Sequence, residues 1–305
     1  ALQVRRARVA DQEAVAGFTA DTWDERDVTD YLPEVFPEWV ADDSPDRRTV
    51  VATLDGEPVG VCSGTILTEA EAWLQGIRVD PAHRGAGVGQ AMTDDLFDWA
   101  KGRGASVARN MIFGWNDAAL GTARRHGFEP ATTGRWARPD PDPDPDPDAD
   151  PALAVREDVA AAWLAWTDSD ARTHLRGLGL ADDEGWAVSE LTRERFAGIA
   201  DRGRVLAVVD DGARAMTVHS GTREGEDDDG ETVTVADYAV AAWDDLAAAR
   251  ALFDAIRTDA AAREVDGTRV LLPETTRVVS DAASARAPLS DGPFYVMAAD
   301  LTGLE

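Results

Sequence analysis

Three glycines at alternate positions, Gly85, Gly87 and Gly89, fall in the segment Ile77-Arg78-Val79-Asp80-Pro81-Ala82-His83-Arg84-Gly85-Ala86-Gly87-Val88-Gly89-Gln90-Ala91. Glycine lets successive backbone N–H groups turn to one side, which makes a concave cradle for an anion. A helix starting at the loop's end adds unsatisfied donors and the positive end of its dipole, so a pyrophosphate is the natural ligand. Arg78, His83 and Arg84 put positive charge there. Other phosphate loops fit worse. The dinucleotide pattern GxGxxG fails at Gln90 when read from Gly85 and at Met92 when read from Gly87. The triphosphate loop GxxxxGK[ST] needs a lysine that does not follow here. A tight strand-to-helix connection without a ligand would use the same glycines.

Other reactive groups are sparse. Cys62 is the only cysteine, which excludes an internal disulfide and a thiolate metal cluster. His83, His126, His174 and His219 are scattered without metal-ligand spacing, and no metal is expected.

The elements around the loop alternate. A strand near Gln3–Val9 leads to Asp11, a helix N-cap by type, and a helix over Gln12–Thr22. A second helical region, 28–40, is expected to be broken by Pro33 and Pro37. Strands Thr49–Leu54 and Pro58–Ile66 flank the turn Asp55-Gly56-Glu57, and another covers Ala72–Val79. After the loop, Val88, Met92, Leu96, Trp99 and Ala100 recur at helical spacing. Ser106–Phe113 reads as a strand and Asp117–His126 as a helix ended by Gly127. Phe128–Arg138 returns as strand. The fold class is α/β with a mixed sheet.

The run DPDPDPDPDADP, Asp140 to Pro151, is stiff and solvated, because proline removes donors and the aspartates repel one another. It divides the chain into domains 1–139 and 152–305, with 140–151 as linker. The 58 acidic residues against 30 basic ones give a net charge of −28, and Lys101 is the only lysine. Acidic residues spread over both halves point to adaptation to molar salt, where the Debye length is about 3 Å. The other reading is an acidic surface for basic partners. Nucleic acid is not an expected partner, since no extended basic surface is present to release counterions. No apolar run reaches membrane-spanning length and the first residues lack a leader's apolar stretch, so the expected location is the cytoplasm.

The segment IRVDPAHRGAGVGQAM resembles the acetyl-CoA pyrophosphate loop of the GNAT superfamily of N-acetyltransferases, whose [QR]xxGx[GA] signature is matched by Arg84, Gly87 and Gly89. Asn116 after the next strand, Ala119, and Gly127-Phe128 closing the helix follow at the family's spacing, and the resemblance covers roughly residues 3–138. It implies a GNAT-like acyl-CoA N-acyltransferase fold with acetyl-CoA as acyl donor. Backbone groups of Ile77, Arg78 and Val79 would pair with the pantetheine arm. Donors from Arg84, Gly85, Ala86, Gly87, Val88, Gly89 and Gln90 would hold the pyrophosphate, and Asn116 would contact pantetheine or thiol. It also implies a backbone N–H on strand 75–79 as oxyanion donor.

Two positions depart from the family. Gln75 stands where many members carry a basic glutamate, and glutamine accepts no proton at neutral pH; Glu71 has the same strand parity. Ala123 stands where the thiol-protonating tyrosine would be, and His126 is the nearest titratable group on that helix face. Glu71 and His126 are therefore the candidate base and acid, with solvated or capping roles as alternatives. The implied activity is acetyl transfer to a small-molecule or peptide amine, with a non-catalytic acetyl-CoA-binding regulator as the other reading. The acceptor and the oligomeric state are not legible.

An internal similarity suggests a second, degenerate copy of the fold. Val50–Thr65 resembles Val205–Thr222 up to a closing Ser-Gly-Thr, and Thr93-Asp94-Asp95-Leu96 resembles Trp243-Asp244-Asp245-Leu246. From Glu231 to Asp266 there is no glycine, so this copy is expected to lack a phosphate cradle.

Overall fold

The computed structural model describes residues 1–20, 22–23, 30–144, 152–182, 184–226 and 231–303. Residues 21 and 28–29 of the expected helical regions and 145–151 of the Asp-Pro run lie outside them. The chain forms two compact units. The first comprises Ala1–Met111, Ala118–Glu129 and Met297–Glu305, and the second Ile112–Asp117 and Pro130–Val296. This division differs from a single cut at the Asp-Pro run, since 112–117 and 130–139 count with the second unit and the chain end counts with the first.

In the first unit, β1 (Leu2–Arg6), β2 (Arg47–Leu54), β3 (Glu57–Thr68) and β4 (Glu71–Val79) pair antiparallel in that order. The start of β5 (Val107–Phe113) joins β4 in parallel. Near the chain end, the Leu301 N–H donates to the Ser106 carbonyl at 2.9 Å. Helices α1 (Gln12–Thr19) and α2 (Leu32–Ala41) cover one face, where Val15, Leu32, Phe36 and Trp39 pack on Val51 and Val61. On the other face lies α3 (Val88–Gly102), with Met92 and Val88 against Gly60 and Trp99 and Leu96 against Gly64. A Cβ at Gly60 or Gly64 would come within 2.9 Å of these side chains, so the glycines set how closely α3 seats. Helix α4 (Asp117–Arg125) follows β5, and Phe128 beyond it packs on Phe97 of α3.

Two local expectations are corrected here. Helix α2 is continuous, because Pro33 falls in its first turn, where no N–H is needed, and Pro37 is accommodated one turn further on. Asp11 does not cap α1 through its side chain; its carboxylate accepts from Arg8 N and pairs with Arg5 at 2.7 Å.

In the second unit, β6 (Glu129–Ala137) pairs antiparallel with β13 (Gly267–Pro273), and β13 runs parallel to β12 (Thr232–Trp243). Antiparallel pairing continues through β11 (Ala213–Glu226) and β10 (Val205–Val209) to β7 (Ala154–Arg156). Helices α8 (Leu246–Ala262) and α9 (Thr276–Ser284) share a core with Tyr238, Val270 and Leu272. Before β10 come α5 (Val159–Thr167), α6 (Asp170–His174), the hairpin β8 (Leu178–Leu180) and β9 (Val188–Glu190), and α7 (Arg193–Arg202). The last strand is β14 (Phe294–Asp300). The element order from β1 to β6 thus recurs from β7 to β14, with β8, β9 and α7 inserted. The first residues of the Asp-Pro run are not free of the second unit, since Asp142 N donates to the Arg257 carbonyl at 3.1 Å.

Candidate functional site

The site is built where β4 and β5 part. Parallel pairs join Glu71 to Val107, Ala72 to Ala108 and Trp73 to Arg109, and no ladder pair follows. Just beyond, β4 carries a bulge. Ser63 opposes Gln75 and Val61 opposes Arg78, so Cys62 faces both Gly76 and Ile77. Gly76 has φ +66°, and a Cβ there would stand 2.8 Å from the Trp39 ring; conformation and space both require glycine. The bulge turns the backbone of 76–79 relative to β3, on an edge that β5 has left.

The chain then enters the loop. Asp80 holds its first turn, accepting from Ala82 N at 2.9 Å and meeting His83 Nδ1 at 3.1 Å. Arg84 is extended, Gly85 has φ +79°, and Gly87, at φ +78°, is the residue from which α3 starts. No side chain caps α3, so the N–H groups of its first turn point outward unsatisfied. A Cβ on Gly85 or Gly87 would meet no protein atom within 4 Å, so the loop is open on its concave side. These features fit a pyrophosphate: left-handed glycines, free donors and the positive end of a 15-residue helix.

Not every expected residue contributes as the spacing suggests. Gly89 is helical, and its need is for space, since a Cβ would lie 2.9 Å from His126 Cε1. Arg78 does not add charge to the loop. Its guanidinium pairs with buried Asp30 at 2.7 Å and lies 4.7 Å from the Trp23 ring centroid, on the α2 side. His83 is matched by Asp80, which leaves Arg84 as the exposed cation of the loop. Gln90 donates its side-chain amide to Asp94 at 2.7 Å, leaving its backbone N–H for the cradle. Ile77 and Val79 lie on the open stretch of β4, and Ala86 and Val88 continue the loop into the helix.

Glu71 is corrected. Parity puts it on the same face as Gln75, but at the closed end of the fork, where β4 and β5 are still paired. Its carboxylate is buried, forms an ion pair with Arg109 and accepts from Thr68 Oγ1 at 3.2 Å. Five residues of strand, about 16 Å, separate it from the bulge at Gly76. It fastens the root of the fork.

His126 is brought to the loop. Its Nδ1 lies 3.2 Å from Thr93 Oγ1, whose hydroxyl donates to the Gly89 carbonyl at 3.0 Å. With that proton committed, the network assigns the Nδ1–H tautomer. Burial, reinforced by Arg125, pushes its pKa below the ordinary histidine value of 6.5 despite Asp94. A neutral imidazole is the opposite of what a proton donor at neutral pH requires, so the ring serves to seat Gly89. Asn116 lies in the turn ahead of α4, its N–H on the Phe113 carbonyl at 2.9 Å, and belongs to the second unit. Cys62 is buried and burial pushes its thiol up to about 12, which removes it as a nucleophile.

Gly76 and Thr93 were missed by the sequence reading. A glycine inside a strand pattern was the available signal for the bulge, and the i, i+4 spacing from Gly89 was the one for Thr93.

Residues 13–128 match the model of the acetyltransferase (GNAT) family. Among solved structures, the chain is similar to a GCN5-related N-acetyltransferase from Sphaerobacter thermophilus, at 15% identity and a TM-score of 0.60, covering 98% of this chain and 96% of that one. A candidate acetyltransferase from Thermoplasma acidophilum is similar at 16% identity and a TM-score of 0.57, covering 98% and 99%. At these identities the structural likeness speaks for the fold alone, which is mixed α/β and GNAT-like, and the family model matches residues 13–128. No curated protein matches the chain.

Proposed function

We propose that this chain is an N-acetyltransferase that takes its acyl group from acetyl-CoA and passes it to a small-molecule or peptide amine. The observation that carries the reading is the uncapped start of α3, where two left-handed glycines open a donor-lined loop beside a forked sheet. The cofactor would supply an activated thioester carbonyl. Backbone N–H groups from Gly85 to Gln90, with Arg84, would hold its pyrophosphate, and the open edge of Ile77–Val79 would pair with the amides of its arm. A β4 backbone N–H at the bulge would meet the developing oxyanion. The Thr93–His126 pair would keep Gly89 against the loop, and solvent would serve as proton source and sink, since Glu71 is in an ion pair and His126 is neutral. Mass spectrometry of a mixed amine and peptide library incubated with acetyl-CoA is expected to show a gain of one acetyl group on a subset of amines. Cofactor binding without any acetylated product would favour the second reading, an acetyl-CoA-binding regulator, which those same two side chains favour.

The second unit is proposed to be a degenerate copy that binds no CoA. Its support is the recurring element order and the parallel pair β12–β13 flanking α8 as β4–β5 flank α3. At the start of α8 the Asp245 carboxylate accepts from Ala248 N at 2.9 Å, and Asp244 precedes it. Two carboxylates stand where an anion would have to bind, and 240–247 contains no left-handed residue. The proposed location is the cytoplasm; no helix among the described residues is long and apolar enough to cross a membrane.

A salt-adapted protein is the reading proposed for the net charge of −28. Salt screens attractive pairs as well, but exposed ion pairs are worth only about 0–1 kcal/mol each. The excess of carboxylates therefore decides the sign. The melting temperature and the acetyl-CoA affinity are both expected to rise between low and molar KCl. A flat or falling melting curve would reverse the reading.

A further inference from the structure

The second unit holds a cationic, indole-lined cluster for which the donor site has no use. At its centre is Arg269, whose residue is 1% exposed. Its Nε donates to Asp237 Oδ1 at 2.8 Å and its Nη2 to Asp237 Oδ2 at 2.6 Å, with a further bond from Nη2 to the Gly185 carbonyl. Nη1 has no acceptor among the described residues. Arg223 Nε also approaches Asp237, at 3.3 Å, and Arg138 adds to the field at Arg269. Two guanidiniums thus meet one carboxylate, with the charge of Arg138 acting on Arg269 as well, inside a protein with a large excess of acid.

The walls are aromatic. The Arg269 guanidinium lies 4.9 Å from the Trp136 ring centroid and 4.7 Å from that of Trp186, two rings set edge to face at 6.3 Å. Arg223 reaches the Trp186 ring as well, at 5.6 Å. Trp136 is buried and its indole N–H also lacks an acceptor among the described residues. Trp186 remains 39% exposed, although burial is what a ring of this size gains most from. Phe113 meets its edge and stacks on Trp115, another exposed indole.

The unmet groups at the centre, Arg269 Nη1–H and Trp136 Nε1–H, are both donors, beside uncompensated positive charge. What completes them is a group that only accepts and carries negative charge. The rings around them suit a flat apolar body. We infer that the second unit binds a small aromatic carboxylate, its carboxylate on Arg269 and Trp136 and its ring against Trp186. A purely structural Asp237–Arg269 pair would explain the burial but not the unpaired donors, the second guanidinium or the exposed indole over them.

The test uses the full chain in molar KCl. Benzoate, phenylacetate and indole-3-acetate are titrated by calorimetry, with benzamide as the neutral counterpart of benzoate. At least one carboxylate is expected to bind saturably at one site per chain, and if benzoate binds, benzamide binds about tenfold more weakly or worse. Arg269→Met would leave Asp237 unpaired and can fail to fold, so the variant of choice is Trp186→Ala at an exposed position. It is expected to stay folded, with a lowered melting temperature, and to weaken the bound carboxylate by about tenfold. Gly87→Glu is expected to leave that binding unchanged, which separates this site from the donor loop. No saturable binding of any of the three carboxylates, benzamide binding equal to benzoate's, undiminished binding in Trp186→Ala, or loss of binding in Gly87→Glu would each overturn the inference.

Discussion

Replacing Gly87 with glutamate is expected to abolish acetyl-CoA binding in a protein that stays folded. The backbone at Gly87 sits at φ +78°, where a residue with a Cβ costs about 1–2 kcal/mol. That is small against the stability of a protein of this size. Nothing else in the fold resists the change, because no protein atom lies within 4 Å of the new Cβ. The new carboxylate would project into the space that the pyrophosphate needs. At about 4 Å and an effective dielectric near 20, two like charges repel by about 4 kcal/mol. Affinity should therefore drop by about a hundredfold or more. Gly87→Ala has the same backbone strain without the charge and should lose far less. Calorimetry on both variants, with melting curves to confirm folding, checks the site; unchanged affinity in a folded Gly87→Glu protein would refute it.

The second large effect is on stability, at Asp259. This residue is 2% exposed and gathers Tyr238 Oη at 2.8 Å, Arg263 Nε at 2.8 Å and Arg204 Nη1 at 2.9 Å. Burial works against its charge, but Arg263, Tyr238 and Arg204 more than offset it and hold the carboxyl below the usual aspartate value. Asp259→Ala removes the common acceptor: Arg263 is left unmatched, Tyr238 keeps only the Ile256 carbonyl at 3.4 Å, and Arg204 keeps Glu157 at 2.7 Å. Losing one member of a buried pair costs about 3–5 kcal/mol. The lower end applies here, since both arginines still reach water. Asp259→Asn keeps an acceptor for Tyr238 and should cost less. Chemical denaturation of the three proteins in molar KCl tests the order wild type, Asn, Ala. The sign with pH follows from the lowered carboxyl: the stabilisation is present above the ordinary aspartate pKa and is lost as pH falls through the folded one.

The sequence showed the backbone form of the loop because glycine is the one residue type whose conformational range is visible in its letter. Gly85 and Gly87 are left-handed where the alternation put them, and α3 begins at Val88 as its apolar spacing indicated. The side chains around the loop were less readable, because their partners are distant in the chain. Arg78 looked like positive charge for the loop from its neighbours in sequence; Asp30, 48 residues away, takes that charge. Glu71 was placed by parity, which tells the face of a strand but not which end of a fork a residue occupies. Helix α2 was read as broken from its two prolines, although position within a helix decides whether a proline matters. The composition of the two units was beyond local pattern altogether. Nothing in Pro130–Ala137 says that its partner will be a strand more than a hundred residues later.

That distribution of strands fixes the order in which the protein can be made. The first unit includes Met297–Glu305, so it cannot close until the intervening residues of the second unit have been synthesised. Until β13 is made, β6 lacks that partner, and the nascent sheet offers open edges of the kind that recruit other chains. A gene cut at the Asp-Pro run would make this condition permanent in both products, since each half would carry away residues that complete the other. Mutual completion ties the two halves into one inheritable piece: loss of Met297–Glu305 would damage the unit whose other strands were made first.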